Sequence, residues 1–306
     1  MYYPFLRGRQ FELLALRELL DKNLISKNHV RPIIEPIKNT AVFNSTIKTF
    51  IEKEFPVHVV INPQNGSFNF QKFQEKSREF EGDTKKAFLL SQNSGADFYE
   101  SLKGEEFVAI YEKSTDFQNG KKLYENSLSP EMNFIEETSK NRFLRVVNQA
   151  DRLGIISDNF EKAARNVDYD ETADDFFSDH HLVYNDDHYE GFCDYSIIGK
   201  EFVEGGFAPR AVVIHALYFN ENNELYVKHF KSDSNDDISD PAGKFSEALD
   251  KLVAWYKTIS SKNKSAAMEE FVRLYNEKRY PGLGVVKKLS IMHHLEIMEK
   301  FLAGQG

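Results

Sequence analysis

The chain has 306 residues, a formal net charge of −9, 41% hydrophobic residues and 28% charged residues. That length allows one large domain or two ordinary ones, and it buries enough surface to fold without a covalent staple. The acidic balance argues against non-specific coating of nucleic acid. The single cysteine, Cys193, excludes an intrachain disulfide and fits a reducing compartment. No apolar run approaches the ~18 residues of a membrane span. The start, Met1-Tyr2-Tyr3-Pro4, lacks the basic residues and apolar core of a signal peptide. The expectation is a cytoplasmic protein with no membrane contact.

Apolar residues recur at helical spacing from Phe11 to Leu20, with Glu12, Arg17 and Glu18 opposite, which predicts a first helix over about 9–23. Val30 to Pro36 is a short apolar run closed by proline and reads as a buried strand. The alternation then continues. Helices are expected over Ser45–Glu54, Phe70–Phe80, Ala96–Leu102 and Gly120–Asn126. Strands are expected at Val57–Pro63, Ala87–Ser91, Phe107–Glu112, Asn133–Glu136, Phe143–Val147 and Leu153–Asp158.

Strands alternating with helices argue for a parallel sheet of βαβ units, and six or more units favour a closed barrel. An open doubly wound sheet holding a dinucleotide would carry a glycine-rich first turn, whereas Pro36-Ile37-Lys38-Asn39-Thr40 has no glycine. The expected fold is therefore α/β, a (β/α)8 TIM-barrel-like domain with a helical C-terminal extension.

From 158 to 194 the character changes, with twelve acidic residues against two basic ones and His180, His181 and His188 among them. Phe192–Ile198 then reads as a strand. Ala211–Phe219 and Leu225–Phe230, joined by Asn220-Glu221-Asn222-Asn223, read as a hairpin. Helices are expected over Asp240–Tyr256, Ala266–Asn276 and Val285–Leu302. The predicted division is a barrel-like domain over 1–260, with an acidic insertion at about 158–194, and an extension over 261–306.

Several apolar strands end in a polar side chain: Glu35, Asn62, Ser91 and Gln92, Glu112, Glu136, Asp158 and Asp194. In a barrel these ends converge on one mouth, where active sites lie. Polar residues also end strands simply because strands end at the surface. Converging carboxylates repel unless a cation neutralises them, and hard oxygen ligands suit Mg2+ or Mn2+. Glu35, Asp158 and Asp194 are the candidate metal ligands, and Glu35, Glu112 and Asp194 the candidate catalytic carboxylates.

His215 lies inside an apolar strand and His229 on its partner arm, near Ser232 and Asp233. They are either core histidines or an acid–base group. Gly282-Leu283-Gly284 followed by Lys287 and Lys288 suits an anion at a helix start, or is a plain helix break. Lys244 and Lys287 are the candidate phosphate contacts. Cys193 has no evident activator.

Tyr2-Tyr3-Pro4-Phe5-Leu6-Arg7-Gly8-Arg9-Gln10-Phe11-Glu12 with Ala15-Leu16, and Arg31-Pro32-Ile33-Ile34-Glu35-Pro36, resemble the start of the bacterial and phage "beta protein" family. They are still more similar to a sister group of bacterial proteins known by a locus label and encoded beside a small conserved partner gene. Arg165–Tyr169, Gly191–Tyr195, Gly243-Lys244-Phe245 and Gly282-Leu283-Gly284 with His293-His294 extend the resemblance over nearly the whole chain. The resemblance implies a barrel-like fold, a co-encoded partner protein and an association with mobile elements or phage defence. It carries no catalytic residues.

Two functions follow as expectations. One is a metal-dependent hydrolase of nucleic-acid or nucleotide phosphoesters. The other is a non-catalytic barrel that binds the co-encoded partner or a phage component. A glycosidase-like use of paired glutamates stands third, weakened by Trp255 being the only tryptophan.

Overall fold

The computed structural model describes residues 1–69, 71–72, 75, 84–90, 99–205 and 209–304. Among them nine strands precede Tyr195: β1 (Tyr2–Leu6), β2 (Ile33–Ile34), β3 (Val57–Val60), β4 (Thr84–Leu89), β5 (Phe107–Ile110), β6 (Met132–Ile135), β7 (Leu153–Ser157), β8 (Asp175–Ser178) and β9 (Gly191–Asp194). All but β8 close into one barrel in the order β1-β2-β3-β4-β5-β6-β7-β9, and every neighbouring pair is parallel. The chain folds as the expected TIM-barrel-like α/β structure with C-terminal helices.

β1 is a strand that pattern reading passes over. All five of its residues are buried, so it shows no polar–apolar alternation, and Pro4 interrupts it. It nevertheless seals the barrel, pairing Pro4 with Asp194 on one side and Phe5 with Ile33 on the other. Phe143–Val147, expected as a strand, lies instead in and just after the helix Lys140–Val146, which buries Phe143 alone among its residues. The helix expected over Phe70–Phe80 and the start of Ala96–Leu102 fall largely outside the described residues, as do Ser91 and Gln92.

The interior of the barrel follows from the two-residue period of the strands. Tyr3 and Phe5, Ile33, Val60, Ala87 and Leu89, Val108 and Ile110, Met132 and Phe134, Ile156, Cys193 and Tyr195 form one buried cluster. Each strand contributes alternate residues to it. Aromatic rings meet inside the barrel, with Tyr3 and Phe134 at 4.9 Å and Phe5 and Tyr195 at 5.1 Å between centroids.

The chain divides into two compact units, and the division does not fall at residue 260. The barrel unit comprises Met1–Gln10, Val30–Asp158 and His180–Tyr195. The second comprises Phe11–His29, Asn159–Asp179 and Ser196–Gly306. The barrel unit holds helices α2 (Ala41–Glu52), α3 (Phe117–Glu125), α4 (Lys140–Val146) and α5 (His180–Val183), whereas α1 (Gln10–Asp21) lies almost wholly in the second. There, the hairpin of β10 (Val213–Phe219) and β11 (Leu225–Lys231) forms as expected. β8 then joins it in an antiparallel sheet of order β10-β11-β8. The acidic stretch is thus no simple insertion, because it supplies β8 to this sheet and β9 to the barrel.

Helices α6 (Pro241–Tyr256), α7 (Ala266–Glu277) and α8 (Leu283–Leu302) complete the second unit. α6 starts at Asp240, which accepts from Gly243 N at 2.9 Å, with Pro241 at the first helical position. α7 starts at Ser265, which accepts from Met268 N at 3.1 Å. α8 buries every residue from Leu289 to Met298. Among the described residues no helix is long and apolar enough to cross a membrane.

His58 on β3 is fully buried, and neither ring nitrogen has a hydrogen-bond partner. Burial, reinforced by Lys85 and Arg31, pushes its pKa down to about 3. In the second unit burial likewise lowers His215 to about 3 and His293 to about 4. As pH falls below about 6.5, the unfolded chain takes up protons that these folded sites refuse. Their stabilisation is complete above that pH and is lost as pH falls towards 3–4. Each contributes a slope of up to ~1.4 kcal/mol per pH unit. Urea denaturation between pH 7 and pH 5 should show this loss, and His58→Phe should flatten the curve by up to one such slope.

Candidate active site

Alternation continues past the strand ends and decides what faces the barrel axis. Arg7 follows Phe5 by two residues, Glu35 follows Ile33, Asn62 follows Val60, Glu112 follows Ile110, Glu136 follows Phe134 and Asp158 follows Ile156. All therefore share the inward parity, and Tyr195 joins them at the end of β9. Asp194 has the opposite parity. It is buried behind the strand, where its Oδ1 accepts from Tyr2 Oη at 3.0 Å. Burial, then Asp194, raises the Tyr2 hydroxyl well above its ordinary pKa. Asp194 therefore does not belong with Glu35 and Asp158 as a mouth ligand.

Glu35 is completely buried and its oxygens are occupied. Arg7 Nη1 donates to Oε2. Oε1 accepts from Gln64 N at 2.7 Å and Asn65 N at 3.1 Å, and Asn65 Nδ2 lies 3.1 Å from Oε2. The Arg7 guanidinium also sits 5.1 Å from the Phe5 ring and 5.2 Å from the Tyr195 ring. Gly8, at φ +62°, turns the chain directly after Arg7, and a Cβ there would stand 2.8 Å from Glu35 O. Glu35 is thus a clamp that ties the β1, β2 and β3 ends together, and the sequence-derived catalytic and metal roles do not suit its saturated carboxylate. Asn62 is similar. Its side chain exchanges hydrogen bonds with Leu89 N at 3.0 Å and Leu89 O at 2.7 Å, extending the β3–β4 ladder.

The mouth that remains is acidic. Glu112 is half-buried, Glu136 and Asp158 are exposed, and the three follow consecutive strands β5, β6 and β7. Tyr195 Oη donates to Glu112 Oε1 at 3.4 Å. Burial, then Glu112, holds the Tyr195 hydroxyl well above its ordinary pKa, and Asp158 adds to the shift while Arg7 opposes it. A neutral phenol beside carboxylates is a proton donor in waiting. Among the described residues no three His, Cys, Asp or Glu side chains converge into a metal cage.

A second polar chain lies on the outward side of β7. Ser157 Oγ is 3.2 Å from His180 Nδ1, and His180 Nε2 is 3.3 Å from Glu137 Oε2. Sequence reading missed it because His180-His181 sits in a segment with no hydrophobic period. The available signal was Ser157 ending a firm strand. Cys193 is buried in the barrel core, and burial, then Asp194, raises its thiol pKa well above the ordinary value.

In the second unit the structure brings His215 and His229 together, with Nδ1 atoms 2.7 Å apart. Their acid partner is Asp175 on β8, not the expected Ser232 and Asp233. Ser232 Oγ accepts from Val212 N at 3.0 Å and donates to Asn235 Oδ1 at 2.6 Å, and Asp233 pairs with Lys251 at 2.8 Å. Lys244 is buried and donates to Asp237 O at 2.6 Å, which anchors α6 and leaves no ammonium to meet a phosphate. Lys287 lies 3.5 Å from Glu12 Oε1. His293 is held by Ser265 Oγ at 2.8 Å and Leu217 O at 2.6 Å, and His294 by Ser196 Oγ at 2.9 Å. The glycine break before α8 therefore leads into a packed helix.

Comparison with protein-family models, with curated proteins and with solved structures gives no match.

Removing either member of the Arg7–Glu35 pair leaves the other charge buried, which typically costs about 3–5 kcal/mol. Glu35→Gln and Arg7→Met should each lose that much in urea denaturation. The double variant should lose clearly less than the sum, because neither charge then stands alone.

Proposed function

We propose that the barrel mouth is a hydrolytic site for phosphoesters of nucleic acid or nucleotides, assisted by a divalent cation. Glu112 and Asp158 would hold the cation and Tyr195 would serve as proton donor. The observation that carries this reading is the run of inward-facing carboxylates, Glu112, Glu136 and Asp158, past three consecutive strands around the buried Tyr195 hydroxyl. Such a rim repels an anionic substrate unless a cation intervenes. Mg2+ characteristically takes one or two carboxylates, keeps several waters and completes its shell with substrate phosphate. A pair of carboxylates is therefore a sufficient protein contribution, and the lack of a three-donor cage among the described residues does not conflict with it. The resemblance to the beta protein family sets this activity in phage defence or mobile-element biology.

The alternative is a scaffold for the co-encoded partner. It draws on Phe176, 49% exposed on β8, and Ile238, 58% exposed, two large apolar side chains left on the surface.

A cation that binds only the folded state raises stability by mass action, by about 2.7 kcal/mol at a hundredfold excess over Kd. Thermal unfolding after EDTA treatment should therefore shift upward on adding Mg2+ or Mn2+, and the shift should vanish in Glu112→Gln with Asp158→Asn. The same double variant should lose at least 100-fold in cleavage of bis-p-nitrophenyl phosphate. Absence of any shift with either ion in the unaltered protein would rule the metal-assisted reading out.

A further inference from the structure

Three side chains from three different strands or loops of the second unit line up into one proton path. Asp175 on β8 lies 2.8 Å from His229 Nε2, and His229 Nδ1 lies 2.7 Å from His215 Nδ1. The two histidines are direct cross-strand partners on β10 and β11. Their rings are boxed by Tyr169, at 4.8 Å from His215 and 4.5 Å from His229, and by Phe160, at 5.1 Å from His215.

The far end of the path is not fully enclosed. His215 is only partly buried, and its Nε2 is not among the fully enclosed unpartnered nitrogens. Among the described residues its one hydrogen bond uses Nδ1. Lys287 on α8 lies close enough to oppose a positive charge on the ring, and Glu12 on α1 faces Lys287 at 3.5 Å. Asp175 is 35% exposed in its side chain, so the inner end of the path also reaches solvent.

We propose that Asp175, His229 and His215 form an acid–base site that removes a proton from a weakly acidic O–H or N–H group of a ligand presented to His215 Nε2. The hydrogen-bond order determines how the proton moves. With Asp175 accepting from His229 Nε2–H, His229 Nδ1 accepts from His215 Nδ1–H, and His215 Nε2 carries a lone pair. When Nε2 takes the ligand proton, the Nδ1 proton passes to His229. The positive charge then rests on His229 against the Asp175 carboxylate, and His215 ends neutral in its other tautomer. No bond but these N–H and X–H bonds changes, and no oxidant or co-reactant is required. A merely structural pair would keep one tautomer.

Nitrogen-15 NMR of the histidine side chains in the full-length protein tests this directly. Titration from about pH 8 to about pH 5 should move the His215 proton from Nδ1 to Nε2 without forming an imidazolium there. Asp175→Asn, which removes the carboxylate that receives the charge, should suppress that tautomer change. His229→Asn, whose side-chain oxygen can occupy the Nδ1 position, should freeze His215 with its proton on Nδ1. At about pH 7.5, diethyl pyrocarbonate should carbethoxylate His215 at Nε2. A His215 that holds one tautomer across the range, or that the reagent does not reach in the folded protein, overturns the proposal.

Discussion

The constraint on which the barrel depends is the two-residue period of a strand in a closed sheet. Closure leaves no edge, so each residue faces either the axis or the outer layer, and a shift of one residue would exchange the two sets. The inward set is apolar from Tyr3 through Tyr195 and packs as one cluster. Carried beyond the strands, the same parity directs Arg7, Glu35, Asn62, Glu112, Glu136 and Asp158 to the axis, and it sends Asp194 and Ser157 outward. The chemistry available at the mouth is thus a consequence of register. It also explains why residues adjacent in sequence, such as Asp194 and Tyr195, have separate roles.

Within the inward set, electrostatics sorts structure from chemistry. Burying a carboxylate is costly unless its lone pairs are satisfied. Glu35 meets that demand with Arg7 and the Gln64 and Asn65 amides, and the result is rigidity where three strands end. The opposite end of the barrel carries a different set of ion pairs. Lys85 bridges Glu106 and Glu131, each at 2.9 Å, and Arg31 reaches Glu131 at 3.4 Å. These pairs are partly solvated and hold the bottom of the barrel, the end where polar residues serve stability rather than reaction.

How far the sequence could be read depended on burial. Parallel strands with both faces covered are runs of apolar residues, so Phe107–Ile110 and Leu153–Ser157 were legible as strands, and their alternation with helices gave the barrel. β1 was not legible, because Pro4 breaks its five buried residues into two short pieces. Phe143 misled because one large buried side chain in a short helix looks like a fragment of a strand. The strand-end polar residues were found by position, but position alone did not separate inward from outward. Asp194 entered the candidate set on that account, and Ser157 with His180 and Glu137 stayed out of it. Hairpin geometry put His215 and His229 on paired arms but did not give their separation. Their acid partner, Asp175, lies 54 residues away from His229 in a stretch whose acidity hid a strand.

The histidines of this chain illustrate how one side chain type is assigned by its surroundings. His293 uses both ring nitrogens, on Ser265 and Leu217 O, and is a fully satisfied core residue between α8 and β10. His58 uses neither and behaves as an aromatic filler beside Tyr3, with their ring centroids 5.8 Å apart. Both arrangements oppose charge, and in both a proton gained has no carboxylate to move towards. His215 differs in having one nitrogen committed to a neighbour that is itself backed by a carboxylate, and the other not fully enclosed. Burial keeps charge off its ring, while the hydrogen bond to His229 gives an incoming proton somewhere to go. A neutral imidazole with an exit for charge is what proton transfer requires, and a satisfied core histidine lacks it.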